Sequence, residues 1–222
     1  MNITSPHLAL AYVLADMAFV GRQPRPPRPR HPAPLVRLRV LHEQLDAGLR
    51  GAPMSCRPGC AACCSMVFAV ADVEAERVVC RVAEQGREAL EAVAARCQHS
   101  LEHLEEHFDL QLPCPLLTND RRCSVYEERP SPCRMHMVVS PPELCSPPTR
   151  LVQTVVRHGV AHAFQMALVD DNLVGPGEVD LLPRLLLGKI RERLAREDEA
   201  VAGRESTAVA GRRRSLMENQ HG

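Results

Sequence analysis

The sequence predicts a mainly α chain whose helices frame an irregular, cysteine-rich lobe. Three observations predict it. Apolar residues recur at three- and four-residue spacing over several long stretches, the period of a helix with one buried face. Aromatics are only 3% of the 222 residues and Trp is absent, so the 45% of hydrophobic residues must build a core of Leu, Val and Ala, which suits helices better than sheets. Between Pro113 and Pro148 the periodicity stops, prolines crowd, and four of the ten cysteines appear.

Taken in order, Leu8–Val20 reads as a short amphipathic helix. No Lys or Arg precedes it, Asp16 lies inside it and no small-residue cleavage site follows, which argues against a secretory leader. It is also too short to span a bilayer. Gln23–Pro34 is Pro/Arg-rich and reads as an extended linker. Leu35, Leu38, Leu41, Leu45 and Leu49 mark a helix from Leu35 to Arg50, ended by Gly51 and Pro53. Val67–Val70 is a short apolar stretch, and Asp72 is a candidate N-cap for a helix to about Gln85. A further helix is expected over Arg87–Phe108, with Leu90, Val93, Ala94, Cys97, Leu101, Leu104 and Phe108 inward. Others are expected over Thr149–Val169 and Val179–Arg196, followed by a disordered tail from about Val201. The implied organisation is an N-terminal helix and linker over 1–34, a main domain over 35–198 and a tail over 199–222.

Lys plus Arg and Asp plus Glu each total 27. A chain without net charge offers no global field for nucleic acid or a membrane surface, so neither is an expected partner. With no leader, the expected location is the cytoplasm, where thiols stay reduced and cysteine richness points to metal rather than disulfides.

The first cysteine group is Cys56-Arg-Pro-Gly-Cys60-Ala-Ala-Cys63-Cys64. Helical spacing would bring all four sulfurs to one side, and Pro58 and Gly59 favour Cys56 in a loop with a helix starting near Cys60. Isolated cysteines are often small buried hydrophobes, but four in nine residues beside Pro and Gly argue against that here. Soft thiolates select zinc, iron–sulfur clusters or copper(I). The second group is Cys114-Pro-Leu-Leu, then Cys123-Ser-Val-Tyr-Glu-Glu-Arg-Pro-Ser-Pro-Cys133-Arg, then Cys145. Its prolines stiffen the backbone beside the ligands, and a metal would supply ordering energy where a core is lacking. The alternative is a loop pinned by disulfides. Arg57, Arg122 and Arg134 adjoin cysteines and are expected to lower thiol pKa.

These residues resemble the CxxCxxCC (YkgJ-like) cysteine-cluster family, a zinc- or iron-chelating domain. The resemblance runs from about Gly51 to Cys145 and rests on the eight cysteines with the intervening Tyr, Arg-Pro and Cys-Arg elements. Three residues rather than two separate Cys56 from Cys60, and Arg122 stands where the family pattern has Gly. The resemblance implies metal ligation by Cys56, Cys60, Cys63, Cys64, Cys114, Cys123, Cys133 and Cys145, and hence a helical domain framing an irregular metal-binding lobe. Two closed zinc sites of four sulfurs each would use all eight, whereas one four-cysteine iron–sulfur cluster would use half.

A flagellin lysine methylase is similar in carrying such a cluster in a larger chain, so an iron–sulfur- or metal-dependent protein-modifying enzyme is the rival reading. No Gly-rich loop for S-adenosylmethionine is visible, and catalytic residues are not identifiable. A zinc-stabilised module that binds a protein partner is a third reading. Cys80 and Cys97 fall outside the pattern and are assigned to the core. His99-Ser-Leu-Glu-His103 and His103-Leu-Glu-Glu-His107 both fit the inverted zinc-protease pattern, but the segment also reads as a solvated helix face. His158 and His162 read as surface or satisfied core groups, and Arg212, Arg213 and Arg214 as part of a solvated terminus.

Overall fold

Leucines at Leu38, Leu41, Leu45 and Leu49 place one apolar stripe along α1, Pro34–Leu49, and all four are buried. The computed structural model describes residues 34–56, 59–105, 112–145, 158–175 and 177–218. The expected Leu8–Val20 helix lies outside them, as does the Gln23–Pro34 linker apart from Pro34, which opens α1.

Six α-helices and one small sheet organise the described residues. After α1 come β1 (Ala69–Ala71), α2 (Asp72–Ala83), α3 (Arg87–Glu102), α4 (Ser131–Met135), α5 (His158–Asp170), β2 (Val179–Leu181) and α6 (Leu182–Glu218). The chain is mainly helical, as composition and periodicity predict.

Two hydrophobic cores meet along α2. In the first, Val78, Val79 and Val82 of α2 pack with Leu90, Val93 and Cys97 of α3 and with Leu186 and Ile190 of α6. In the second, the α1 leucines pack against Phe164 and Leu168 of α5. Each fully buried aliphatic side chain contributes about 1.5–3 kcal/mol. Gly48 permits the close approach of α1 and α5, since a Cβ there would lie 2.9 Å from Val160 Cγ1.

The short sheet joins distant parts of the chain. β1 pairs antiparallel with β2, with Val70 opposite Asp180. Helix was expected to begin at Val179, but Val179–Leu181 is extended because its backbone pairs with Ala69–Ala71. A three-residue strand is too short to leave an alternating signature, and the helix starts only where Pro183 enters its first turn. Asp72, expected as an N-cap, is the first helical residue; Glu74 instead accepts a bond from the Ala71 N–H at 3.2 Å.

Both ends of the helical elements differ from expectation in places. α3 ends at Glu102, and Phe108 lies outside the described residues. The first described residue of α5 is His158, so the expected start at Thr149 also lies outside them. α6 continues to Glu218, so residues 199–218 are helical where composition suggested a disordered tail. That stretch has many Ala, Glu and Arg residues and no Pro, a composition with good helix propensity despite Gly203 and Gly211.

Candidate metal centre

The cysteine lobe is held between α2, α3 and α1. The first group does not form the expected α-helix near Cys60. Cys60 lies in irregular chain, and Cys63 and Cys64 occupy a single 3-10 turn, Ala62–Ser65. Gly59 has φ of +83°, a left-handed conformation that costs a residue with a Cβ about 1–2 kcal/mol. Ser55 ties the preceding segment to the second group, its N–H donating to Val138 O at 2.7 Å and its hydroxyl to Val139 O at 2.8 Å.

Backbone bonds dock the second group on the first. The Cys114 N–H donates to Cys64 O. Leu117 and Cys123 form an isolated antiparallel bridge, and Ser124 N–H donates to Leu116 O at 2.9 Å. Cys133 sits within α4, and Cys145 ends a 3-10 turn, Pro142–Cys145, that packs against the Ala62–Ser65 turn. Arg96 of α3 donates to Pro115 O at 2.7 Å, fixing α3 beside Cys114.

Four sulfurs from four separate segments thus come within electrostatic reach of one another: Cys63, Cys114, Cys123 and Cys133. The Cys63 thiol is driven upward by its hydrogen bond with Cys64 and by burial. Burial pushes Cys114 up to about 12, with further contributions from Cys123, Cys97 and Cys63. Cys133 is raised well above the ordinary thiol by burial first, then by Cys114, Cys63 and Cys123. Cys123 is raised by burial, with Cys63 adding to it. Desolvated thiols crowded together resist ionisation, and a bound cation reverses that balance by deprotonating the thiols it coordinates. Donor type and burial therefore fit a thiophilic metal, and Cys114, Cys123 and Cys133 are not joined in disulfides.

The sulfurs are spread rather than tightly gathered. Among the described residues, the only set of three or more metal-ligating groups with all ligand atoms within 4.8 Å is His99, Glu102 and His103. Cys56, Cys60 and Cys64 are half-buried, and Cys145 is buried. The turn that carries Cys64 and the one that carries Cys145 pack against each other.

The arginine that serves the thiols is not one of those expected. Arg122 is exposed and faces Asp120 at 3.4 Å. Arg134 pairs with Asp46 and donates to Arg129 O at 2.8 Å and to Glu127 O, while Arg57 lies outside the described residues. The charge that lowers Cys63 and Cys123 is that of Arg129, whose guanidinium carbon sits 4.1 Å above the Tyr126 ring. Its only sequence signal is its place in the Tyr-Glu-Glu-Arg-Pro run. Cys97 is in the core as expected, and is close enough to Cys114 to influence it. Cys80 is not in the core: it is half-buried, its thiol 3.8 Å from Glu76 Oε1.

The sequence comparison agrees with this lobe. Residues 55–150 match the model of the CxxCxxCC family, described as a "putative zinc- or iron-chelating domain". The likeness is to the CxxCxxCC family and covers under half of the chain, with α1 and α6 flanking the matched segment on either side. No curated protein and no solved structure matches the chain. Metal binding through a cysteine-rich domain is the function the family carries.

Proposed function

We propose that this protein is a cytoplasmic metal-binding protein that chelates zinc or iron through Cys56, Cys60, Cys63, Cys64, Cys114, Cys123, Cys133 and Cys145. The observation that supports the reading is that Cys63 of the first group and Cys114, Cys123 and Cys133 of the second are desolvated and lie within electrostatic reach of one another. These four form the inner ligand set. Cys56, Cys60, Cys64 and Cys145 complete it, Cys64 and Cys145 being carried on the Ala62–Ser65 and Pro142–Cys145 turns that pack together.

The thiolate set suits either closed tetrahedral zinc or an iron–sulfur cluster. When bound, such a centre supplies one-electron redox chemistry or structural cross-linking of the lobe. The protein's own part is to exclude water around Cys114 and Cys133 and to set Arg129 beside Cys63 and Cys123.

Purification under exclusion of oxygen, with elemental analysis and a visible spectrum, tests this. Iron with acid-labile sulfide and broad absorbance near the violet would assign a cluster, and stoichiometric zinc in a colourless sample would assign a zinc centre; either result supports chelation. Absence of both metals would reject the proposal.

A further inference from the structure

Toward the C-terminal end of α3, His99, Glu102 and His103 bring one imidazole, one carboxylate and a second imidazole within 4.8 Å of each other. Their spacing of three and four residues puts them on one helical face. From this geometry we infer that the trio is a second, surface metal site, taking a divalent transition ion of the zinc or nickel type.

Two features beyond the cluster itself orient the ligands. The His103 Nδ1–H donates to His99 O at 3.0 Å. This fixes the neutral ring in the tautomer that leaves the Nε2 lone pair open, the arrangement metal-binding histidines commonly show. Glu102 is held by a relay from another helix. Arg191 of α6 donates to Gln98 Oε1 at 3.0 Å, and Gln98 Nε2 donates to Glu102 Oε1 at 2.7 Å. One carboxylate oxygen thereby accepts from the Gln98 amide, which orients the group. The two imidazole rings lie 4.5 Å apart at 52°.

Two imidazoles and a carboxylate form a borderline donor set suited to zinc, nickel or copper. With three protein ligands on one exposed helix face, the remaining coordination positions are open to water, the mark of an exchangeable site rather than a structural one. Gln98 and Arg191 act as positioning residues. This site does not depend on the cysteine reading, since no thiol takes part.

The test is calorimetric titration of Ni2+ into the full chain as purified without oxygen, with its thiol-bound metal in place. Wild-type protein is expected to take up one Ni2+ at a site that His99→Ala or His103→Ala weakens at least tenfold. Gln98→Ala, which touches no metal, is expected to weaken it by about tenfold, the scale of a lost outer hydrogen bond. His99 is exposed and Gln98 and His103 are half-buried, so an unchanged far-UV spectrum checks the fold, and Cys80→Ser serves as the unaffected control. Equal Ni2+ affinity in wild type and the His99→Ala/His103→Ala double variant would overturn the inference.

Discussion

His42 and Glu74 face each other inside the protein, Nε2 donating to Oε1 at 3.1 Å, both side chains almost wholly removed from solvent. Glu74 also accepts from the Ser131 N–H at 2.7 Å and the Ala71 N–H at 3.2 Å. One carboxylate therefore links α1, the β1–α2 junction and the start of α4, two residues before Cys133. On its other face the His42 ring stacks on Phe164, centroids 5.6 Å apart.

Glu74→Ala leaves His42 and two backbone donors buried without their acceptor. Breaking a buried pair in this way costs about 3–5 kcal/mol, to be read from urea unfolding. Because Ser131 loses its anchor, the variant is also expected to hold less metal than wild type at equal protein concentration. A loss under about 1 kcal/mol, the scale of an exposed pair, would show that Glu74 is not the hub described.

The same carboxylate sets an acid limit. Burial alone would raise its pKa, but the hydrogen bond and charge of His42, with the Ser131 and Ala71 amides, outweigh burial and hold it below the ordinary 4.5. The unfolded chain therefore takes up this proton at higher pH than the folded one. Its contribution is complete above the unfolded value and fades as pH falls through the folded value. Melting temperature measured from neutral pH downward should fall more steeply below about pH 4.5 in wild type than in Glu74→Gln. Parallel curves would contradict the assignment.

Within the lobe, Cys63→Ser and Cys133→Ser are expected to release metal and to loosen the Pro113–Pro148 stretch, seen as faster amide exchange there. Cys80→Ser, whose thiol faces Glu76 outside the lobe, should keep full metal content. Equal loss in all three variants would undo the ligand assignment.

Arg129 and Arg122 separate the structural reading from the sequence expectation. Arg129→Gln removes the charge beside Cys63 and Cys123 and should weaken metal retention against a chelator about 10- to 100-fold. Arg122→Gln, on an exposed pair with Asp120, should match wild type. Identical chelator curves for both variants would remove Arg129 from the site.

What the sequence reveals depends on how each feature is encoded. The α1 leucines and the α2 valines announce their helices because a buried stripe must repeat every three or four residues. The cysteine groups stand out because few roles besides metal ligation call for thiols at that density in a reduced protein. The β1–β2 pair leaves no such mark, since Ala-Val-Ala and Val-Asp-Leu are too short to alternate and their pairing joins positions over a hundred residues apart. Glu74 resembles any helix-surface acid, as nothing local marks a carboxylate whose partners arrive from α1 and α4. Arg129 is hidden for a similar reason: adjacency in sequence singles out Arg122 and Arg134, while the fold turns those toward Asp120 and Asp46 and leaves the charge of Arg129 to act on Cys63 and Cys123.

X-ray absorption at the metal edge of oxygen-protected protein tests the central claim most directly, because it reads the atoms bound to the metal. A first shell made of sulfur alone is predicted, with a short metal–metal distance if the inner set holds an iron–sulfur cluster. A shell dominated by nitrogen and oxygen would contradict chelation by the cysteines.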